Sequence, residues 1–254
     1  MSDKRTIEYL TTTRRNFLLG TTGAVLSLGV LPGSLAFAAD DAVTLRVAAT
    51  GSNADSLDPH RTQGQITDIV RFMNIYDGLS EYNPDASVGL SLAESFTPNA
   101  DSTEWTLKLK AGIKTHDGKD FGADDIIFSV KRILDKEHPT KGSALISFID
   151  PANVTKVDAA TVLFKLKDPY GPFPDVWANR YLRMVPVGFD PAKPVGTGAF
   201  KYVSFTPGRE SVFERFDDYF REKAKVKTLQ IVNISDAAAS INALRGGQVD
   251  MAYK

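Results

Sequence analysis

Residues 110–130 read KAGIKTHDGKDFGADDIIFSV, and this stretch decides the fold. Just upstream, Trp105, Leu107 and Leu109 alternate with Thr106, Lys108 and Lys110, which predicts a half-buried strand. His116-Asp117-Gly118-Lys119 predicts a tight reversal, because Asp-Gly tolerates positive φ. Ala123-Asp124-Asp125 then opens a helix carrying Ile126, Ile127, Val130, Ile133 and Leu134 on one side. The paired acids suit the positive end of the helix dipole, so they read as a helix start rather than a catalytic pair.

The same alternation of strand and helix continues outward. Val43-Thr44-Leu45-Arg46-Val47-Ala48-Ala49 reads as a first strand, and Ile66, Ile69, Val70 and Met73 give helical spacing over about residues 63–76. Residues 154–157 and 162–166 read as a hairpin. Pro172-Phe173-Pro174-Asp175 starts a short helix through Trp177, with Trp177 in the core. Strands follow at residues 199–205, 211–216 and 228–234. A helix capped by Ser235-Asp236 runs to Arg245, Gly246-Gly247 stops it, and a strand begins at Val249. The class is α/β or mixed α+β.

Composition narrows the function. Hydrophobic residues at 43% and charged residues at 24% describe an ordinary globular chain. A net charge of -1 argues against nucleic acid as a partner. The absence of cysteine removes disulfides, thiolate metal sites and a lipid-modified cysteine. His60, His116 and His138 lack metal-ligand spacing, and no P-loop, zincin or G-x-S-x-G motif is present. No cofactor is implied.

The first 38 residues read as an export leader. Thr13-Arg14-Arg15-Asn16-Phe17-Leu18-Leu19 carries an arginine pair, a weakly apolar run follows over residues 18–35, and Ala36-Phe37-Ala38 gives a small-x-small cleavage pattern. The arginine pair points to a twin-arginine signal peptide, with cleavage after Ala38 and the twin-arginine translocase as the export partner; Sec export with an incidental arginine pair is the alternative. Residues 39–254 are then the exported part, soluble and not a lipoprotein.

The 110–130 stretch resembles the signature of family 5 solute-binding proteins, the peptide, nickel and opine receptors of ABC transporters. Further blocks match in the family's order: Leu57-Asp58-Pro59, Tyr76-Asp77-Gly78-Leu79, Leu92-Ala93-Glu94-Ser95-Phe96, Pro194-Val195-Gly196-Thr197-Gly198-Ala199-Phe200, Asp218-Tyr219-Phe220 and Leu244-Arg245-Gly246-Gly247-Gln248-Val249-Asp250. Thr115 and Ala199 depart from the family's usual Phe and Pro. The resemblance implies a periplasmic-binding-protein-like lobe of a two-lobe, hinge-closing receptor. It also implies that the sequence stops where the chain crosses into a second lobe, so that the second lobe is absent.

A receptor of that kind needs a concave site with a few placed polar groups. The loop after the first strand offers Ser52, Asn53 and Asp55, since open α/β sheets bind ligands beyond strand carboxyl ends. Its plain alternative is a polar surface loop. Asn179 and Arg180 form the second candidate, with Arg180 able to grip a ligand carboxylate in bidentate fashion or to be an ordinary surface arginine. Gly196 and Gly198 are expected at a hinge or a tight turn. His116-Asp117 invites an acid/base role, but the turn accounts for it.

The expected function is the substrate-binding component of an ABC importer, not an enzyme. It captures a small solute such as a peptide in the periplasm for an inner-membrane ABC transporter permease. Two alternatives stay open: a truncated, non-functional fragment of such a receptor, and an exported Asp/His hydrolase.

Overall fold

The computed structural model describes residues 43–253. The leader read at residues 1–38 lies outside the described residues. The first strand, β1 (Thr44–Ala49), sits inside a five-stranded mixed sheet. Its partners are β8 (Phe200–Thr206), β9 (Glu210–Arg215), β10 (Thr228–Asn233) and β11 (Met251–Tyr253), in the order β11-β1-β10-β9-β8. β1 runs parallel to β10 and β11, while β9 pairs antiparallel with both β8 and β10.

The pleat sends alternate β1 residues to opposite faces. Val47 and Ala49 join Leu229, Ile231, Phe213 and Phe200 in a core under α1 (Ile66–Ile75). Ala48 faces the other way and meets Ala243 of α4 (Ala237–Arg245). The Asp236 carboxylate accepts the Ala239 N–H at 2.7 Å, which caps α4 as its sequence predicts. α1 is shorter at its start than the periodicity suggests, because residues 63–65 form its lead-in.

The second module is a four-stranded antiparallel sheet, β4-β5-β7-β6. Its strands are β4 (Ala93–Pro98), β5 (Glu104–Leu109), β6 (Val154–Lys156) and β7 (Thr161–Lys165), and α2 (Ala123–Ile133) packs on it. The expected hairpin is present, with Val154 opposite Phe164. The reversal at Gly118 takes φ +83°, as the Asp-Gly pair predicts. The Asp125 carboxylate accepts the Gly122 N–H at 2.8 Å and Asp124 pairs with Lys156 at 2.6 Å, so both acids serve the helix start and its surface. α3 (Phe173–Val176) delivers Phe173 into an aromatic cluster with Trp105, Phe164 and Trp177, at centroid distances of 5.3, 5.1 and 5.7 Å. Trp177 is fully buried there and belongs to the core. Each such side chain contributes roughly 1.5–3 kcal/mol on leaving water. A small hairpin of β2 (Ser80–Tyr82) and β3 (Val88–Leu90) follows α1 in the chain. No helix among the described residues is long and apolar enough to cross a membrane.

Candidate binding site

Three sequence blocks converge on one buried acid. Asp77 directly follows the Tyr76 that ends α1, and is 5% exposed. Thr197 Oγ1 donates to its Oδ2 at 2.9 Å, and the Tyr219 hydroxyl donates to its Oδ1 at 3.0 Å. Burial pushes the Asp77 carboxyl above its ordinary value, against the pull of these donors and of Arg221. Burial likewise pushes the Tyr219 phenol up. Arg221 forms a two-pronged pair with Glu81, with Nη2 to Oε2 at 2.9 Å, and its Nε donates to the Tyr219 oxygen at 3.0 Å.

Asp77, Glu81, Tyr219 and Arg221 of this network line a cavity of about 640 Å³. Ile69 and Met73 of α1, Tyr82 of β2, residues 178–181, Arg183, Ala199 and the terminal Tyr253 of β11 complete the lining. That volume lies in the range that encloses a small solute. A larger cavity of about 1060 Å³ lies against the antiparallel module near Leu134, Phe148 and Tyr170. None of the converging blocks reaches it.

Of the residues expected from sequence, Asn179 and Arg180 line the 640 Å³ cavity. Arg180 is exposed and its guanidinium lies 5.3 Å from the Tyr181 ring centroid. Ser52, Asn53 and Asp55 are not part of that lining. Asp55 is committed elsewhere: its side chain is fully enclosed and its Oδ2 pairs with the equally enclosed Arg71 at 2.8 Å. Its other oxygen accepts the Ser52 N–H at 2.8 Å, so the carboxylate closes its own loop onto α1. The Ser52 hydroxyl accepts the Ala54 N–H at 3.1 Å, and Asn53 is exposed.

Gly196 and Gly198 are required by close approach, not by positive φ. A Cβ at Gly196 would lie 2.1 Å from the Ile75 carbonyl oxygen, and one at Gly198 would lie 2.4 Å from that of Asn74. The Gly198 N–H donates to the Ile75 oxygen at 2.8 Å, so the loop caps the last turn of α1. His116 clamps this loop from outside. Its Nδ1 accepts the Gly196 N–H at 3.2 Å and its Nε2–H donates to the Gly198 carbonyl at 2.9 Å. The turn reading holds for Asp117 and Gly118, but it misses this role of the histidine, which no local pattern reveals because its partners lie 80 and 82 residues away.

A second buried histidine holds the backbone of Arg183. Arg132 pairs with Asp58 through both of its terminal nitrogens, one at 2.9 Å, and donates to His60 Nδ1 at 2.7 Å. That leaves the His60 proton on Nε2, which donates to the Arg183 carbonyl at 2.7 Å. Burial works to raise Asp58, but Arg132 outweighs it and holds the carboxyl low. Burial pushes both His60 and His116 down to about 4. In the unfolded chain they titrate near 6.5. The contribution of the two histidines to stability is therefore complete above pH 6.5 and falls as pH drops from 6.5 towards 4. The expected slope is on the order of 1.4 kcal/mol per pH unit for each histidine. Urea midpoints at pH 7 and pH 5 check this, and His60→Gln with His116→Gln should flatten the difference. Equal midpoints in the unsubstituted chain would contradict it.

Among the described residues, Asp135, Glu137 and His138 are the one group with metal-ligand spacing. The carboxylate of Asp135 already pairs with Arg61 at 3.2 Å and with His138 at 2.9 Å.

Comparison with known proteins agrees with this architecture. Residues 87–254 match the family model described as bacterial extracellular solute-binding proteins, family 5, middle. The chain belongs to that family. It is 30% identical over 204 residues to the oligopeptide-binding protein AppA of Bacillus subtilis (strain 168), covering 75% of this chain and 37% of AppA. It is 28% identical over 243 residues to the glutathione-binding protein GsiB of Escherichia coli (strain K12), covering 90% of this chain and 46% of GsiB. The solved structure of the PBP AgaA from A.tumefacien R10 in complex with agropinic acid superposes with a TM-score of 0.75 at 30% identity. That alignment covers 82% of this chain and 43% of AgaA. The chain thus spans less than half the length of these relatives, and its mixed α/β architecture is that of periplasmic binding proteins.

Proposed function

We propose that this chain supplies the solute-capturing part of the substrate-binding component of an ABC importer. It binds rather than catalyses. The observation that carries the reading is the convergence of Thr197 and Tyr219 on Asp77, from three separate sequence blocks, where Asp77 and Tyr219 line a cavity with Asn179 and Arg180. The preorganised polar wall suits recognition. Ser52 and Asn53 follow the end of β1, where Ala49 pairs with the cavity residue Tyr253, and are proposed as outer contacts to the solute. The leader at residues 1–38 directs the chain through the twin-arginine translocase to the periplasm. The absence of cysteine leaves it free rather than lipid-anchored, and an inner-membrane permease receives the solute.

The test is thermal unfolding against a panel of di- and tripeptides, glutathione, opines and nickel chelates. One class is expected to raise the melting temperature saturably, by the equivalent of about 2.7 kcal/mol at a hundredfold excess over Kd. Arg180→Ala should weaken that response. A flat response across the panel would contradict solute capture by this chain. Coverage of only 37–46% of AppA and GsiB favours a second reading, in which capture requires further polypeptide and the part described here binds weakly by itself.

A further inference from the structure

We infer that Arg183 is the anion anchor of this cavity and that the solute enters with a carboxylate facing it. The inference rests on the solute-capture reading and names the chemistry of that site. Arg183 is 6% exposed and lines the cavity. Its Nε has no hydrogen-bond partner, and among the described residues no carboxylate oxygen lies within the ion-pair limit of its guanidinium. The acids nearby are already committed. Glu81 is held by both terminal nitrogens of Arg221, and Asp77 is occupied by Thr197 and Tyr219. The lining carries three arginines, 180, 183 and 221, against the two acids Asp77 and Glu81. With the Arg221–Glu81 pair closed, the balance left to a ligand is cationic.

A buried cation without a counter-charge is costly, so the fold must hold it in place. The backbone does so. Arg183 forms a bridge with Gly78, the neighbouring Met184 N–H donates to the Asp77 carbonyl at 2.9 Å, and His60 holds the Arg183 carbonyl. Burial pushes the guanidinium pKa down, with Asp77 and Glu81 opposing it at longer range. A guanidinium fixed in this way presents a planar fork that matches a carboxylate. The exposed Arg180 stands beside it as a second donor.

The anchor is tested on the full chain with acetate as probe and acetamide as its uncharged control, read through the arginine Nε–H resonances. Acetate should move the Arg183 signal saturably, at a concentration at least about tenfold below that needed for acetamide. Arg183→Met should abolish the acetate response and melt no lower than the unsubstituted chain, since it removes an unpaired buried charge. Equal responses to acetate and acetamide, or a melting temperature of Arg183→Met far below that of the unsubstituted chain, would overturn the anchor. A panel solute that stabilises the unsubstituted and Arg183→Met chains equally would overturn the anchor alone and leave solute capture standing. Acetate titration of Arg183 without any stabilising solute would instead count against solute capture.

Discussion

Gly198→Ala should lower stability by about 3 kcal/mol or more, a fall in melting temperature of roughly 6–12 °C. The added Cβ would sit 2.4 Å from the Asn74 oxygen and 2.6 Å from the Ile75 carbonyl carbon. These are backbone atoms of the last turn of α1, so no side-chain rotation relieves the contact. Either the loop lifts away and loses its 2.8 Å bond to Ile75, or α1 shifts against the sheet. Both outcomes pull Thr197 away from Asp77 and open the cavity wall. Gly118→Ala is the contrasting case: it meets nothing within 4 Å and carries only the strain of φ +83°. Its expected cost is about 1–2 kcal/mol. Thermal unfolding of the two variants distinguishes them, and a Gly198→Ala chain as stable as Gly118→Ala would contradict the close-approach account.

Arg71→Met is expected to cost about 3–5 kcal/mol, because it strands charge in the interior. Arg71 reaches Asp55 at 2.8 Å and Asp68 at 3.4 Å, and all three side chains are fully enclosed. Its Nε also donates to Ser211 at 2.9 Å, which ties α1 to β9, and its guanidinium lies 4.8 Å from the Phe205 ring centroid. Methionine fills most of the volume but leaves two carboxylates without their cation. Adding Asp55→Asn to Arg71→Met should recover part of the loss, since it removes one of the stranded charges. Denaturant midpoints of the single and double variants decide the matter. A double variant no more stable than the single would show that packing, and not charge, governs the position.

Much of the framework was legible because its signals are local. β5 alternates, α2 has an apolar side and two acids at its start, and Asp117-Gly118 permits the reversal between them. β2 and β3 are only three residues each and gave no periodicity to read. The site was legible only in part. Asn179 and Arg180 stand in a loop with no secondary structure to hold them, and polar residues of that kind invite a binding role. The same reasoning made Asp55 a candidate, because sequence does not show that Arg71 is packed beneath it. Arg183 lies three residues after Arg180, yet one is exposed and the other buried. That difference comes from the Gly78 bridge and the His60 contact, both made by residues more than 100 positions away. Sequence places the two glycines at a hinge or a tight turn, whereas the determining fact is their distance to the end of α1.

The most direct test of the account is to map where a stabilising solute touches the protein. Backbone and side-chain resonances of the full chain should be followed as that solute is added. The account predicts that the perturbed residues cluster at Met73, Asn179, Arg180, Arg183, Tyr219 and Tyr253, around the 640 Å³ cavity. Perturbations centred instead on Phe148 and Tyr170, in the larger cavity of the antiparallel module, would contradict it.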